Sequence, residues 1–241
     1  MSEPAGRAIG VQAPRRTAGH AVVIAHRGAS AQHAENTLPA FLAAWDAGAQ
    51  WVEADTQPTA DGVPVLLHDA DLDRTTSGSG PVRQHDVEAV TALDAGGWFD
   101  GSAAAGNSVR AAVPRLSELL ALLSAGRRVL LEVKGEHTAD QIEAVVRACR
   151  ASAHRATVFL QSFEVATLGL LRALEPRAPF GLLVDGFDDD PVGRCRDLGA
   201  VACDDLQRAA LEHCDGLLHS LSGEHTLEVI SQNRARMFRQ R

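Results

Sequence analysis

The sequence predicts an α/β fold whose parallel strands close into a barrel of the TIM type, on three observations. Apolar runs of strand length alternate with single amphipathic stretches along most of the chain, the order of βαβ units in a parallel sheet. Neither a GxGxxG nor a GxxxxGK phosphate loop occurs, which favours a closed barrel over a doubly wound sheet. The chain has 241 residues, 45% hydrophobic and 22% charged, which suits one large α/β barrel.

The elements follow in order. "AVVIAH" reads as a buried strand ending in His26. Leu38, Phe41, Leu42 and Trp45 recur at helical spacing. "ENTLP" starts that helix, with Asn36 or Thr37 as cap and Pro39 in the first turn. "WVEADTQ" and "VPVLLHD" flank the turn "TADG" and predict a hairpin. Residues 70–115, rich in Gly, Ser and Ala, read as an excursion from the main fold, in which Arg74 is expected to bridge Asp71 or Asp73, with contact to substrate as the alternative. "PRLSELLALL" is a helix and "RVLLEVK" a strand. Ile142, Val145, Val146 and Cys149 mark the next helix, "TVFLQSF" the next strand, and Val165, Leu168, Leu171 and Leu174 another helix. "FGLLVD", a polar helix near 191–198 and "AVACDD" complete six parallel strands.

Composition limits the function classes. A net charge of −8 disfavours nucleic acid or an anionic membrane surface as partner. No apolar stretch is long enough to span a bilayer. Residues 1–20 lack an apolar signal core and read as a disordered tail. Cys149, Cys195, Cys203 and Cys214 lack metal or CxxC spacing and read as reduced thiols. A cytoplasmic domain is therefore expected. Of 23 lysines and arginines only one, Lys134, is lysine.

Chemistry collects at the C-terminal ends of barrel strands, and residues two apart on a strand share a face. Glu53 and Asp55 therefore project together, as do Glu132 and Lys134, while His26 and His68 end two further strands. Three carboxylates against one lysine inside a barrel call for a divalent cation, and oxygen ligands favour Mg²⁺ or Ca²⁺. Two histidines beside such an ion form an acid and base pair. Arg27 and Lys134 suit a phosphate. Together these residues point to metal-assisted phosphoester cleavage.

In the motifs "IAHRGAS…ENTLPAF", "VEADTQPTADGVPVLLHDADLDRTTSGSG", "LDAGGWF", "VPRLSELLALL", "LLEVK", "QSF" and "GLLVD", over about residues 22–205, the chain resembles the glycerophosphodiester phosphodiesterases of the phospholipase-C-like barrel superfamily. The resemblance implies a (β/α)8 barrel of which 21–205 is the matching part, with residues 70–115 as a small insertion after the second strand, near the substrate mouth. It implies His26 and His68 as acid and base, Arg27 on the phosphate with Lys134 close by, and Glu53, Asp55 and Glu132 on the metal. The implied reaction takes a small-molecule glycerophosphodiester and water to sn-glycerol 3-phosphate and an alcohol.

Departures from the family pattern are Ala54 between the carboxylates, Gln161 where a small residue is commoner, and residues 206–241, which carry neither of the usual last strand motifs. A βαβ unit takes about 30 residues or more, so the 36 residues after Asp205 do not hold two further strand and helix pairs. They are expected either to close the barrel irregularly, through "GLLHSL" or "LEVIS", or to leave it open. A metal-dependent enzyme is the expected function, and a catalytically impaired, ligand-binding relative is the alternative that the atypical end raises.

Overall fold

The computed structural model describes residues 23–99, 110–184, 191–205, 215–220 and 226–230. The tail expected at 1–20 lies outside the described residues, as does most of 206–241. The chain runs through β1 (Ile24–Ala25), α1 (Leu38–Asp46), β2 (Trp51–Pro58), β3 (Pro64–Leu66), α2 (Val87–Thr91), α3 (Leu116–Ala121) and β4 (Arg128–Val133). It continues through α4 (Ala139–Ala151), β5 (Val158–Ser162), α5 (Val165–Leu174), β6 (Phe180–Val184), α6 (Pro191–Leu198), β7 (Ala202–Asp205), β8 (Asp215–Ser220) and β9 (Thr226–Ile230). No helix among the described residues is long and apolar enough to cross a membrane.

Strands β1, β2, β4, β5, β6 and β7 pair in parallel, each with the next, and β3 lies antiparallel on β2 as the hairpin reading expects. Alternation along these strands sorts side chains into two environments. Val52 and Ala54, Val129, Leu131 and Val133, and Val158 and Leu160 face outward into the main core. There they meet Phe41 and Trp45 of α1, Leu116 and Leu119 of α3, Ile142 and Val146 of α4, and Leu168 and Leu171 of α5. Burying each such side chain contributes about 1.5–3 kcal/mol, which makes this layer the main source of stability. Ala54 is fully buried on this outward face.

The opposite face turns into the barrel. Trp51, Glu53 and Asp55 share it, and the register runs it across the sheet: Asp55 pairs with Glu132, Glu132 with Gln161, Gln161 with Gly181 and Gly181 with Ala202. Below this polar rung lie Leu130 and Phe159, themselves paired and buried. A β-carbon on Gly181 would stand 3.1 Å from the Phe159 ring and 3.5 Å from Cβ of Gln161, so a glycine here lets both larger side chains fit. Gln161 is accommodated, fully inside, by that exchange of volume.

Thr37 caps α1, its side chain accepting from the Ala40 N–H, and Thr138 with Gln141 forms a reciprocal cap on α4. The 70–115 segment is less irregular than its composition predicts. It carries α2 and a separate small core in which Leu72, Val82, Val87, Val90 and Val113 pack on Val65 and Leu67. After β7 the parallel order stops: β8 pairs antiparallel with β7, and β9 antiparallel with β8. Antiparallel neighbours need only hairpin connections, where a parallel pair needs a crossover of a dozen residues or more. The sheet order is β1-β2-β4-β5-β6-β7-β8-β9. Strands β9 and β1 come within 8 Å of each other, Cα to Cα, so the sheet curls back towards its first strand. Among the described residues the ladder joins no rung between those two ends. The architecture is an α/β barrel of the TIM type with an antiparallel final part.

Candidate active site

Strand β1 runs into a tight reversal. Arg27 at φ +56° and Gly28 at φ +79° are both left-handed, and a β-carbon on Gly28 would stand 2.6 Å from the Ala40 carbonyl carbon of α1. An arginine in this conformation is strained. What holds it is the Arg27 N–H donating to Glu53 Oε2 at 2.9 Å and the Arg27 carbonyl accepting from the Asn36 N–H at 3.1 Å. The turn sets His26 beside Glu53, with Nε2 3.9 Å from Oε2.

Glu53, Asp55 and Glu132 each offer an oxygen within 4.8 Å of the others, and all three are buried. Burial first, then the charges of Asp55 and Glu132, pushes the Glu53 carboxyl well above its ordinary value. The same two causes, burial and Asp55, raise Glu132 to about 7. Lys134, two residues along β4, offsets part of this charge: its Nζ lies 2.8 Å from Glu132 Oε1 and 3.7 Å from Asp55 Oδ1. That Asp55 oxygen is buried without a hydrogen-bond partner. Three clustered oxygen donors, an excess of negative charge and an unpartnered buried carboxylate oxygen fit a hard divalent cation.

Arg27 lies over the cluster. Its Nη1 donates to Glu35 Oε1 at 2.9 Å, and Nε sits 3.3 Å from Asp55 Oδ2, within ion-pair reach but without hydrogen-bond alignment. His68 follows β3. Its Nδ1 meets Asp69 Oδ1 at 2.6 Å, and its carbonyl accepts from Gln57 Nε2 at 3.2 Å. Burial foremost, then the neighbouring Arg27 and, more weakly, His68, takes the His26 ring down to about 4. The Leu67 N–H donates to the Asp55 carbonyl at 3.1 Å, so His68, one residue on, leaves the hairpin at the level of the carboxylates. All seven residues singled out in the sequence, His26, Arg27, Glu53, Asp55, His68, Glu132 and Lys134, thus meet at the same end of the sheet.

Of the two caps the sequence offers for α1, Thr37 is the one used, and one reading, that of Arg74, needs correction. Asn36 stands at φ +56°, donates from Nδ2 to Asp55 Oδ2 at 2.8 Å and accepts the Asp55 N–H at 3.1 Å. Thr37 alone caps, because Asn36 is drawn one residue back into the site. Arg74 bridges neither Asp71 nor Asp73, but Asp69 and Glu35. Asp73 is turned to the Gly80 N–H instead. Glu35 and Asp69 are neighbours of the cluster to which the sequence reading gives no role. The "ENT" and "HD" runs that carry them were the available signal.

This constellation sits on a chain whose residues 26–230 match the glycerophosphoryl diester phosphodiesterase family. The chain belongs to that family. Among curated relatives, the glycerophosphodiester phosphodiesterase of Caldanaerobacter subterraneus is 36% identical over 165 residues, covering 67% of this chain and 66% of the relative. That of Bacillus subtilis is 32% identical over 169 residues, covering 66% and 57%. The chain thus spans less than two thirds of the length of these curated family members. Among solved structures, an Oleispira antarctica phosphodiesterase in complex with the product sn-glycerol-3-phosphate superposes with a TM-score of 0.68 at 29% identity, covering 78% of both chains. A glycerophosphodiester phosphodiesterase from Agrobacterium tumefaciens gives 0.62 at 29% identity, covering 76% of this chain and 75% of that one.

Proposed function

We propose that the chain is a metal-dependent phosphodiesterase that hydrolyses glycerophosphodiesters to sn-glycerol 3-phosphate and an alcohol. The observation that carries this reading is the gathering of His26, Arg27 and Lys134 around three buried carboxylates of a family barrel, with His68 joined to Arg27 through Asp69, Arg74 and Glu35. The product held by the Oleispira relative supports a small glycerophosphate-bearing substrate. Glu53, Asp55 and Glu132 would hold Mg²⁺ or Ca²⁺, which when bound supplies Lewis-acid stabilisation of charge on the phosphoryl oxygens.

The remaining work falls to the chain's own groups. Arg27, pinned by its own turn, and Lys134 bind the phosphate, Arg by its fork and Lys as a point charge. One of His26 and His68 takes the proton from the attacking oxygen as its bond to phosphorus forms. The other gives a proton to the alcohol oxygen as its bond to phosphorus breaks. The attacking oxygen is that of water or of the substrate's glycerol 2-hydroxyl; product analysis in ¹⁸O-water, with a search for the cyclic phosphate, separates the two.

The test is a coupled glycerol 3-phosphate assay on the purified chain with glycerophosphocholine, titrated with Mg²⁺ and with Ca²⁺. EDTA-sensitive release, lost in Glu53→Gln, is the expected result. A folded chain with no EDTA-sensitive release, or undiminished activity in Glu53→Gln, would overturn the reading.

A further inference from the structure

We propose that Arg74, carried on the insertion, is a positioning residue for both sides of the site, holding Asp69 against His68 and Glu35 against Arg27. The inference rests on the reading of His68 and Arg27 given above. Its geometry is a double fork. Arg74 Nε donates to Asp69 Oδ2 at 2.5 Å and Nη2 to Asp69 Oδ1 at 3.1 Å. On the other edge, Nη1 donates to Glu35 Oε2 at 3.1 Å and Nη2 to Glu35 Oε1 at 2.8 Å. These bonds use four of the five N–H groups of a guanidinium. Arg74 therefore has little left with which to bind substrate, and its action passes through the two carboxylates.

Each carboxylate hands the constraint on. Asp69 Oδ1 also meets His68 Nδ1 at 2.6 Å. An ionised carboxylate only accepts, so the ring carries its proton on Nδ1 and presents Nε2 for proton transfer. Glu35 Oε1 also accepts from Arg27 Nη1 at 2.9 Å. It thereby shares the guanidinium that would otherwise turn wholly to Asp55, 3.3 Å away on its other side. The chain His68, Asp69, Arg74, Glu35, Arg27 joins a proton-transfer group to a phosphate-binding group through one side chain of the insertion. A lysine cannot replace it, because a point charge does not make two forks at once.

The test uses the purified full chain and the variants Arg74→Met, Arg74→Lys, Asp69→Asn and Glu35→Gln, each checked for folding by its melting curve. Arg74→Met is expected to lower kcat/KM for glycerophosphocholine about 10- to 100-fold, the range for losing an orienting partner. Asp69→Asn should lower mainly kcat, and Glu35→Gln should mainly raise KM. Arg74→Met combined with Asp69→Asn should give no further loss in kcat beyond Asp69→Asn alone, since both act on the same histidine. In ¹⁵N spectra of the histidine rings, His68 should show a fixed Nδ1–H tautomer in the parent chain and a tautomer mixture in Arg74→Met. Should Arg74→Met not fold, Arg74→Lys is read in the same way.

Full activity in Arg74→Lys would overturn the proposal, because a charge alone would then suffice. So would unchanged His68 resonances in a folded Arg74 variant, or an effect confined to the melting temperature. A parent chain inactive on glycerophosphocholine would sink the proposed function, while the ring spectra would still decide the clamp.

Discussion

Asp69 stands between a guanidinium and an imidazole, and its charge shows it. The Arg74 fork, foremost, and the His68 hydrogen bond hold its carboxyl at about 2 against an ordinary 3.8. A carboxylate with a depressed folded pKa adds stability above its unfolded value and loses it as pH falls through the folded one. The stability difference between the parent chain and Asp69→Asn should therefore be constant above about pH 5 and shrink between about pH 4 and 2, as read from denaturant midpoints along a pH series. A difference that stayed constant down to pH 2 would mean that Asp69 is not held in this way. The seven residues first singled out could be read in advance because each sits on or just beyond a strand, where two-residue alternation already says which side chains share a face. The partners that orient them could not. Arg74 meets Glu35 across 39 residues and Asn36 meets Asp55 across 19, separations that no local pattern records, so Asn36 reads as no more than one of two candidate caps and Arg74 as a bridge to its nearest acids.

Elements were legible in proportion to their periodicity. The helical stripes at Leu38 to Trp45 and Ile142 to Cys149 and the hairpin around "TADG" all fold as their spacing requires. The 70–115 insertion was opaque because its small core is built from scattered valines and leucines that converge only on β3 and the residue after it. The turns on either side of α1 offer the clearest test at this scale. Gly28 and Gly48 are both left-handed, at φ +79° and +94°, but only Gly28 faces a wall, Ala40, while Gly48 has nothing within 4 Å. Gly48→Ala should cost about 1–2 kcal/mol, the backbone penalty alone. Gly28→Ala should cost about 2–5 kcal/mol, since overpacking adds to it. Urea unfolding of the two variants measures the difference, and equal losses would place Gly28 in a looser turn than the one described.

At the scale of the whole molecule, the cation is expected to act as a folding ligand, because the three carboxylates that would hold it come from two paired strands of the same sheet. A ligand at about one hundred times its Kd stabilises by about 2.7 kcal/mol, or about 5–10 °C in Tm for a chain of this size. Adding Mg²⁺ or Ca²⁺ after EDTA should raise Tm by that order. Glu53→Gln should melt no lower than the parent in EDTA, since one of three mutually repelling carboxyls is gone, and should lose the rise. A cation-induced rise of the same size in Glu53→Gln would remove Glu53 from the ligand set.

Taken alone, the sequence determined the strand and helix alternation and the placing of His26, Arg27, Glu53, Asp55, His68, Glu132 and Lys134 on or just beyond strands, though β2 runs on to Pro58, past the end expected near Asp55. Both follow from local periodicity and the two-residue alternation of a strand. Only the tertiary structure decided that Asp55, Glu132 and Gln161 share one rung, that the insertion reaches back through Arg74 to hold both sides of the site, and that β8 and β9 continue the sheet antiparallel. Register, long-range ion pairs and strand direction depend on which distant segments come to lie side by side, and that is settled by packing.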